Sequence, residues 1–357
     1  MHRSFAPDDP LLAFSRALPK VELHCHLLGA VRRDTFTELV RRERAPISDD
    51  EIAAYYTRGT KPIGAIRVLR ALEDHLLRTP ADLHRLVYEY LCDAASHNVR
   101  YAEFFWNPTG TLRGSGLRYA DAQGGILAGI ADAGRDRDIV GKLIVAVDRE
   151  AEPAAALEVV EAMIAHRHDD VIGIGMDYRE TDRPPELFAA AYALARKHGL
   201  KTTAHAGEFG CPADHIRTAV ERLKVDRIDH GYTVLDDPDL CRSCADRGVV
   251  FTVVPTNSYY LRTLAPERWA LDHPIRRMPA AGIAIHPNTD DPTLHHMTPS
   301  AAWAMMVRDF EFGLDDLRVF MRNGLRAAWL DASTRAAWTG EYLAEFDRLR
   351  KAWPALT

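Results

Sequence analysis

The chain has 357 residues, 47% of them apolar and 27% charged, which is ordinary globular composition with ample material for a large core. Its formal net charge of −6 argues against a general affinity for nucleic acid or anionic membrane. No run approaches the eighteen or so apolar residues of a membrane span, and the N-terminus lacks a secretory-signal pattern, so a cytoplasmic protein is expected.

Taken in chain order, the first apolar run is "KVELHCHL" (20–27). A long amphipathic helical stretch follows, roughly residues 45–95, and reads as an insert after the first strand. Then come "VRYAEFFW" (99–106), "KLIVAVDR" (142–149) and "DVIGIGMDY" (170–178). The series continues with "KTTAHAGE" (201–208), "RIDHGYT" (227–233), "GVVFTVVP" (248–255) and "IAIHPNTDD" (283–291). Helical patterns such as "PAAALEVVEAMIAHRH" (153–168) separate them, and further helices fill 298–352. Eight strands alternating with helices predict a (β/α)8 TIM barrel, an α/β fold. No Gly/Ser linker divides the chain, so residues 1–357 are expected to form one domain. "RRDTFTELVRRER" (32–44) reads as a basic, solvated helix face. The five cysteines are scattered, unlike a disulfide framework, and Cys241 and Cys244 read as small side chains on a capped helix.

Polar residues interrupt these runs at their C-terminal ends. His24 and His26 end the first, His205 with Glu208 the fifth, His230 the sixth, and Asp290 with Asp291 the eighth. In a barrel those ends converge on one mouth. A single buried histidine reads as a hydrogen-bonded core residue, but several on one face form a ligand set. Neutral imidazoles and a carboxylate suit one divalent metal ion, with Zn2+ preferred.

The segments "PKVELHCHLLGA", "TAHAGE", "RIDHG" and "NTDDP", in this order and spacing, resemble the adenosine/adenine deaminase family of the amidohydrolase superfamily. The resemblance runs from about Pro19 to Pro292. It implies a metal on His24, His26, His205 and Asp290, with Glu208 as the proton-shuttling acid. His230 would orient the attacking water, and Asp291 would accept a hydrogen bond from a purine ring. The implied reaction is hydrolytic deamination of a 6-aminopurine: adenine, an N6-substituted adenine or a 5′-modified adenosine. A metal lowers the pKa of water toward ~7, and the resulting hydroxide attacks C6 and displaces ammonia. "DVIGIGMDY" lacks the lysine that bridges two metals in binuclear amidohydrolases, which favours a single ion.

Leu28 departs from the family pattern. Adenosine-acting members carry an Asp there for the sugar's terminal hydroxyl, and adenine deaminases a Glu. A leucine accepts no hydrogen bond, so the expected substrate lacks that hydroxyl, and Leu28→Asp is expected to favour adenosine. "GIGMD" is similar to the adenine-deaminase stretch, which makes Asp177 either a base contact or a turn cap. Glu103, Phe105, Trp106, Asn107, Asn257 and Ser258 are further pocket candidates. His286, His295 and His296 are expected in supporting or surface positions. The competing readings are deamination of another aromatic amine, such as a pterin or an aminofutalosine-type nucleoside, and a non-catalytic purine-binding barrel. The sequence leaves the oligomeric state open.

Overall fold

The computed structural model describes residues 4–57 and 64–356. Its eight strands are β1 (Lys20–Glu22), β2 (Val99–Trp106), β3 (Val140–Asp148), β4 (Val171–Asp177), β5 (Lys201–Ala206), β6 (Arg227–His230), β7 (Val250–Val253) and β8 (Ala284–Pro287). They form one sheet in the order β1 to β8, every pair parallel. All eight runs read from the sequence are strands, because strands buried on both faces are apolar and β-branched throughout. The (β/α)8 barrel is the observed fold.

β1 is shorter than expected. Beyond Glu22 the chain leaves the regular ladder and joins both neighbours at once. Phe105 N donates to Cys25 O at 2.8 Å and Leu27 N to Phe105 O at 2.9 Å. On the other side Asp290 N donates to His24 O at 2.9 Å and His26 N to Asp290 O at 2.8 Å. The Cys25–Asp290 bridge therefore closes the barrel between its last and first strands.

The barrel interior is tightly filled. A Cβ on Gly173 would lie 2.6 Å from the Trp329 ring, and one on Gly175 would lie 2.5 Å from the Phe105 ring. The two alternate glycines of "GIGMD" thus admit these aromatics. At the N-terminal end Arg227, fully buried, donates to Glu103 Oε2, to Leu23 O at 3.0 Å and to Ala327 O at 3.3 Å. The Trp329 ring lies 4.2 Å from its guanidinium carbon. Glu103 is therefore a plug at the closed end of the barrel, not a pocket residue.

The expected insert is helical, but its limits differ. Residues 58–63 of it lie outside the described residues. Helix Pro80–Ala95 packs on β2 and along helix Tyr119–Arg137, as a barrel's own outer helix does. The added excursion is thus the earlier stretch, with helices Arg33–Glu43, Asp49–Tyr55 and Ala65–Ala71. An amphipathic pattern reports a buried stripe without saying what covers it. Helix Arg33–Glu43 buries Thr35, Phe36, Leu39 and Val40 and turns its arginines outward, as read. At the other end helix Leu314–Ala327 packs on β8, β1 and β7, and helix Ala332–Ala352 packs on it. Among the described residues no helix is long and apolar enough to cross a membrane.

Candidate metal centre and active site

The strand ends bring His24, His26, His205, His230, Asp290, Asp291 and Glu208 together, all at most 8% exposed. One ligand-type atom from each of His24, His205, His230 and Asp290 lies within 4.8 Å of the other three. His26 joins them: its Nε2 is 3.1 Å from His205 Nε2 and 3.2 Å from Asp290 Oδ1. His24 Nε2 is 3.6 Å from the same oxygen. Tetrahedral ligands about 2.1 Å from zinc would lie about 3.4 Å apart, so these spacings suit one ion. Three buried ring nitrogens of the cluster, His24 Nε2, His205 Nδ1 and His230 Nε2, have no hydrogen-bond partner among the described residues. Orphaned buried nitrogens are costly unless an ion or water meets them.

The far sides of the rings face acceptors, which is how metal-binding imidazoles are oriented. His24 Nδ1 lies 3.3 Å from both Thr252 O and Thr252 Oγ1. His205 Nδ1 faces Asp229 Oδ2 at 3.3 Å, and His26 Nδ1 faces Asp177 Oδ2 at 3.6 Å. Asp229 is held by the hydroxyls of Thr203 at 2.8 Å and Thr252 at 2.7 Å. Burial opposes its ionisation, yet the imidazoles of His205 and His24 keep its carboxyl well below the usual range. Burial pushes His205 down to about 4, which keeps that ring neutral. His230 and Asp290 adopt φ of 66° and 64°, left-handed values that non-glycine residues seldom take and that cluster at functional sites.

Glu208 lies beside this cluster, with Oε1 3.7 Å from His230 Nε2. Burial first, and then the charge of Asp290, push its pKa well above the ordinary carboxylate value. Its turn is anchored by Glu180, fully buried, which accepts from Gly207 N at 2.8 Å, Glu208 N at 2.9 Å and His215 Nδ1 at 2.8 Å. Cys211 and His215 lie close to Glu180, but the carboxylate's lone pairs are already used by these donors. Asp291 is pushed up to about 8, by burial and then by Asp290. Its Oδ1 has no partner.

A cavity of about 400 Å³ opens on the cluster. Its walls include His26, Asp177, His205, Glu208, Asn257, Asp290 and Asp291, with Leu69, Tyr260, Leu294 and His295 completing one side. Asp177 lines it and also accepts from Asn107 Nδ2 at 3.0 Å, so it serves His26 whatever else it meets. His295, expected in a supporting or surface position, reaches the wall stacked on Tyr260. His286 bonds Phe320 O and Val21 O away from the site. Phe105 packs its ring on His24, His26 and His205. Trp106 bonds Thr111 instead of facing the cavity.

Leu28 does not behave as expected. It is 4% exposed, packs in the apolar core, and is not among the described residues that line the cavity. Its three-residue turn, Leu28–Ala30, presses on Asp291 through Gly29, where a Cβ would lie 1.8 Å from Asp291 Oδ1. The turn sends the side chain into the core. Leu28→Asp would then bury a charge in apolar surroundings, at roughly 3 kcal/mol or more. The expected result is a lower melting temperature with no gain on adenosine, read by thermal melting and adenosine turnover.

Sequence reasoning passed over three residues: Asp229, Glu180 and Tyr232. Tyr232 Oη lies 3.1 Å from His230 Nδ1 and donates to Val254 O at 3.0 Å. The available signal was an acid inside the strand run "RIDHG", where burial demands a partner.

A parallel barrel whose mouth gathers histidines and aspartates around one ion-sized point, with a buried glutamate beside it, defines a metal-dependent amidohydrolase. The family model described as adenosine deaminase matches residues 19–342, and the chain belongs to that family. It is 34% identical to an adenine deaminase of Cupriavidus taiwanensis over 353 residues, covering 95% of this chain and 94% of the relative. An amidohydrolase of Burkholderia ambifaria, crystallised with bound zinc, superposes with a TM-score of 0.96 at 57% identity, covering 99% and 97% of the two chains. The adenine deaminase of Arthrobacter aurescens superposes with a TM-score of 0.84 at 27% identity, covering 93% and 99%. The protein is a hydrolase of amidine-type C–N bonds.

Proposed function

We propose that this enzyme hydrolytically deaminates a 6-aminopurine, with adenine the first candidate, using a single divalent ion of which zinc is preferred. The carrying observation is geometric: Glu208, buried and raised in pKa by burial and by Asp290, shares the wall of one cavity with His26, His205, Asp290 and Asp291. The named adenine deaminase relatives and the zinc-bearing neighbour support the same reading.

His24, His26, His205 and Asp290 would hold the ion. When bound, it supplies Lewis acidity that brings a water's pKa toward ~7. Glu208 donates a proton to a ring nitrogen as charge builds there, which is what a carboxyl of raised pKa does well. His230, steadied by Tyr232, faces Glu208 and orients the attacking water. Asp291, on the cavity wall, would accept from a ring nitrogen of the purine. The apolar residues Leu69 and Leu294 exclude water around the base. Asp177 aligns His26 and stands at the cavity wall to contact the base. A cytoplasmic location suits the five unpaired cysteines.

An ammonia-release screen tests this directly. Adenine, N6-methyladenine, adenosine, 5′-methylthioadenosine, a pterin and an aminofutalosine-type nucleoside would be compared, with metal content measured on the same sample. Turnover of adenine or an N6- or 5′-modified relative is expected. Release of ammonia only from the pterin or aminofutalosine arm would overturn the purine assignment, and a metal-loaded protein that turns over nothing would favour a binding role.

A further inference from the structure

Asn257 begins the short helix Asn257–Leu261 after β7 and is 2% exposed. Its Nδ2 donates to Glu208 Oε1 at 2.9 Å and to Asp290 Oδ2 at 3.1 Å. Two carboxylate acceptors fix the amide's orientation, since the flipped form would set Oδ1 against both oxygens. Both amide hydrogens are thereby used. Among the described residues no hydrogen bond reaches Glu208 Oε2, and Glu208 lines the cavity.

We propose that Asn257 is a positioning residue that assigns the transferable proton of Glu208 to Oε2. The proposal rests on the reading of Glu208 as the proton-shuttling acid. A carboxylic acid has one carbonyl oxygen, which only accepts, and one hydroxyl oxygen, which donates. An N–H aimed at Oε1 makes that oxygen the acceptor and leaves the hydroxyl on Oε2, the oxygen free to meet substrate. The Oε2–H bond then breaks as the ring N–H bond forms, with the electron pair left on Oε2. A proton from the attacking water then returns Glu208 to its acid form. The second amide hydrogen ties this geometry to Asp290, keeping the acid at a fixed distance from the cluster.

Asn257→Leu removes both donors at nearly constant volume, and Asn257→Ala does so with less bulk should leucine disturb folding. Both would be made in the wild-type and Glu208→Gln backgrounds, and kcat, KM, metal content and melting temperature measured with the best substrate of the screen. The expected result is full metal content, KM within about threefold of wild type and kcat lower by about 10–100-fold. In the Glu208→Gln background the same changes should alter kcat by less than about threefold, because the proton they place is already gone. Equal losses in both backgrounds, a loss that follows metal content, or a kcat near wild type would each overturn the assignment. A wild-type enzyme that releases no ammonia would remove the deaminase reading and this proposal with it; an active wild type unaffected by Asn257→Leu would remove the proposal alone.

Discussion

Glu208→Gln is expected to lower kcat by about 10²–10⁴-fold while leaving the metal content and fold intact. Glutamine keeps the shape of glutamate and can still accept from Asn257, but it has no proton to give and no basic oxygen to take one back. The surroundings are built for the acid form. Glu208 is 8% exposed and stands beside Asp290, and both features favour the neutral carboxyl. Its backbone is held by Glu180 at 2.9 Å, a contact that the substitution does not touch. The loss should therefore fall on kcat and spare KM, the mark of an interaction made in the transition state. Steady-state kinetics beside metal analysis and circular dichroism decide it. A variant with a few-fold loss would show that the ring nitrogen takes its proton elsewhere.

Removal of the metal is expected to abolish deamination and lower the melting temperature, and stoichiometric Zn2+ is expected to restore both. Without an ion, His24 Nε2 and His230 Nε2 remain buried and unpartnered. A ligand present at a thousand times its dissociation constant stabilises the folded state by about 4 kcal/mol, so the melting shift should be plain. Single substitutions separate the roles. His24→Ala, His26→Ala, His205→Ala and Asp290→Asn are expected to lose the ion, and activity with it. His230→Ala is expected to keep the ion and still lose at least about 100-fold in kcat. Metal analysis of each purified variant, paired with ammonia release, reads the difference. Loss of the ion from His230→Ala would make His230 a ligand, a role that its place within 4.8 Å of the other donors also permits.

The barrel was legible because its strands are buried on both faces, so "KLIVAVD" and "GVVFTVV" have no polar alternation to confuse them with surface segments. The candidate site was legible for the complementary reason: most of the imidazoles that interrupt those runs stand at their C-terminal ends, whereas Glu103 and His286 show that an interruption alone does not mark the mouth. What escaped depends on contacts between distant positions. Asp229 stood in a quoted motif, yet its link to Thr203 and Thr252 exists only once three strands are adjacent. Asn257 appeared as a substrate contact, but nothing local reveals that two carboxylates share its amide. Leu28 was assigned by motif position, which identifies a residue without stating where its side chain points. Helix Pro80–Ala95 shows an amphipathic periodicity like that of the helices before it, so the pattern alone does not mark where an insert ends.

The bridge between Cys25 and Asp290 has a consequence for biosynthesis. The first imidazoles leave the ribosome near residue 24, and the aspartate that joins them emerges more than 260 positions later. Nascent chains of intermediate length therefore hold an incomplete set of donors and cannot trap the cation in its finished environment. The full donor set comes together only when β8 has been made and the Cys25–Asp290 bridge can form, so the step that seals the sheet is also the step that completes the mouth.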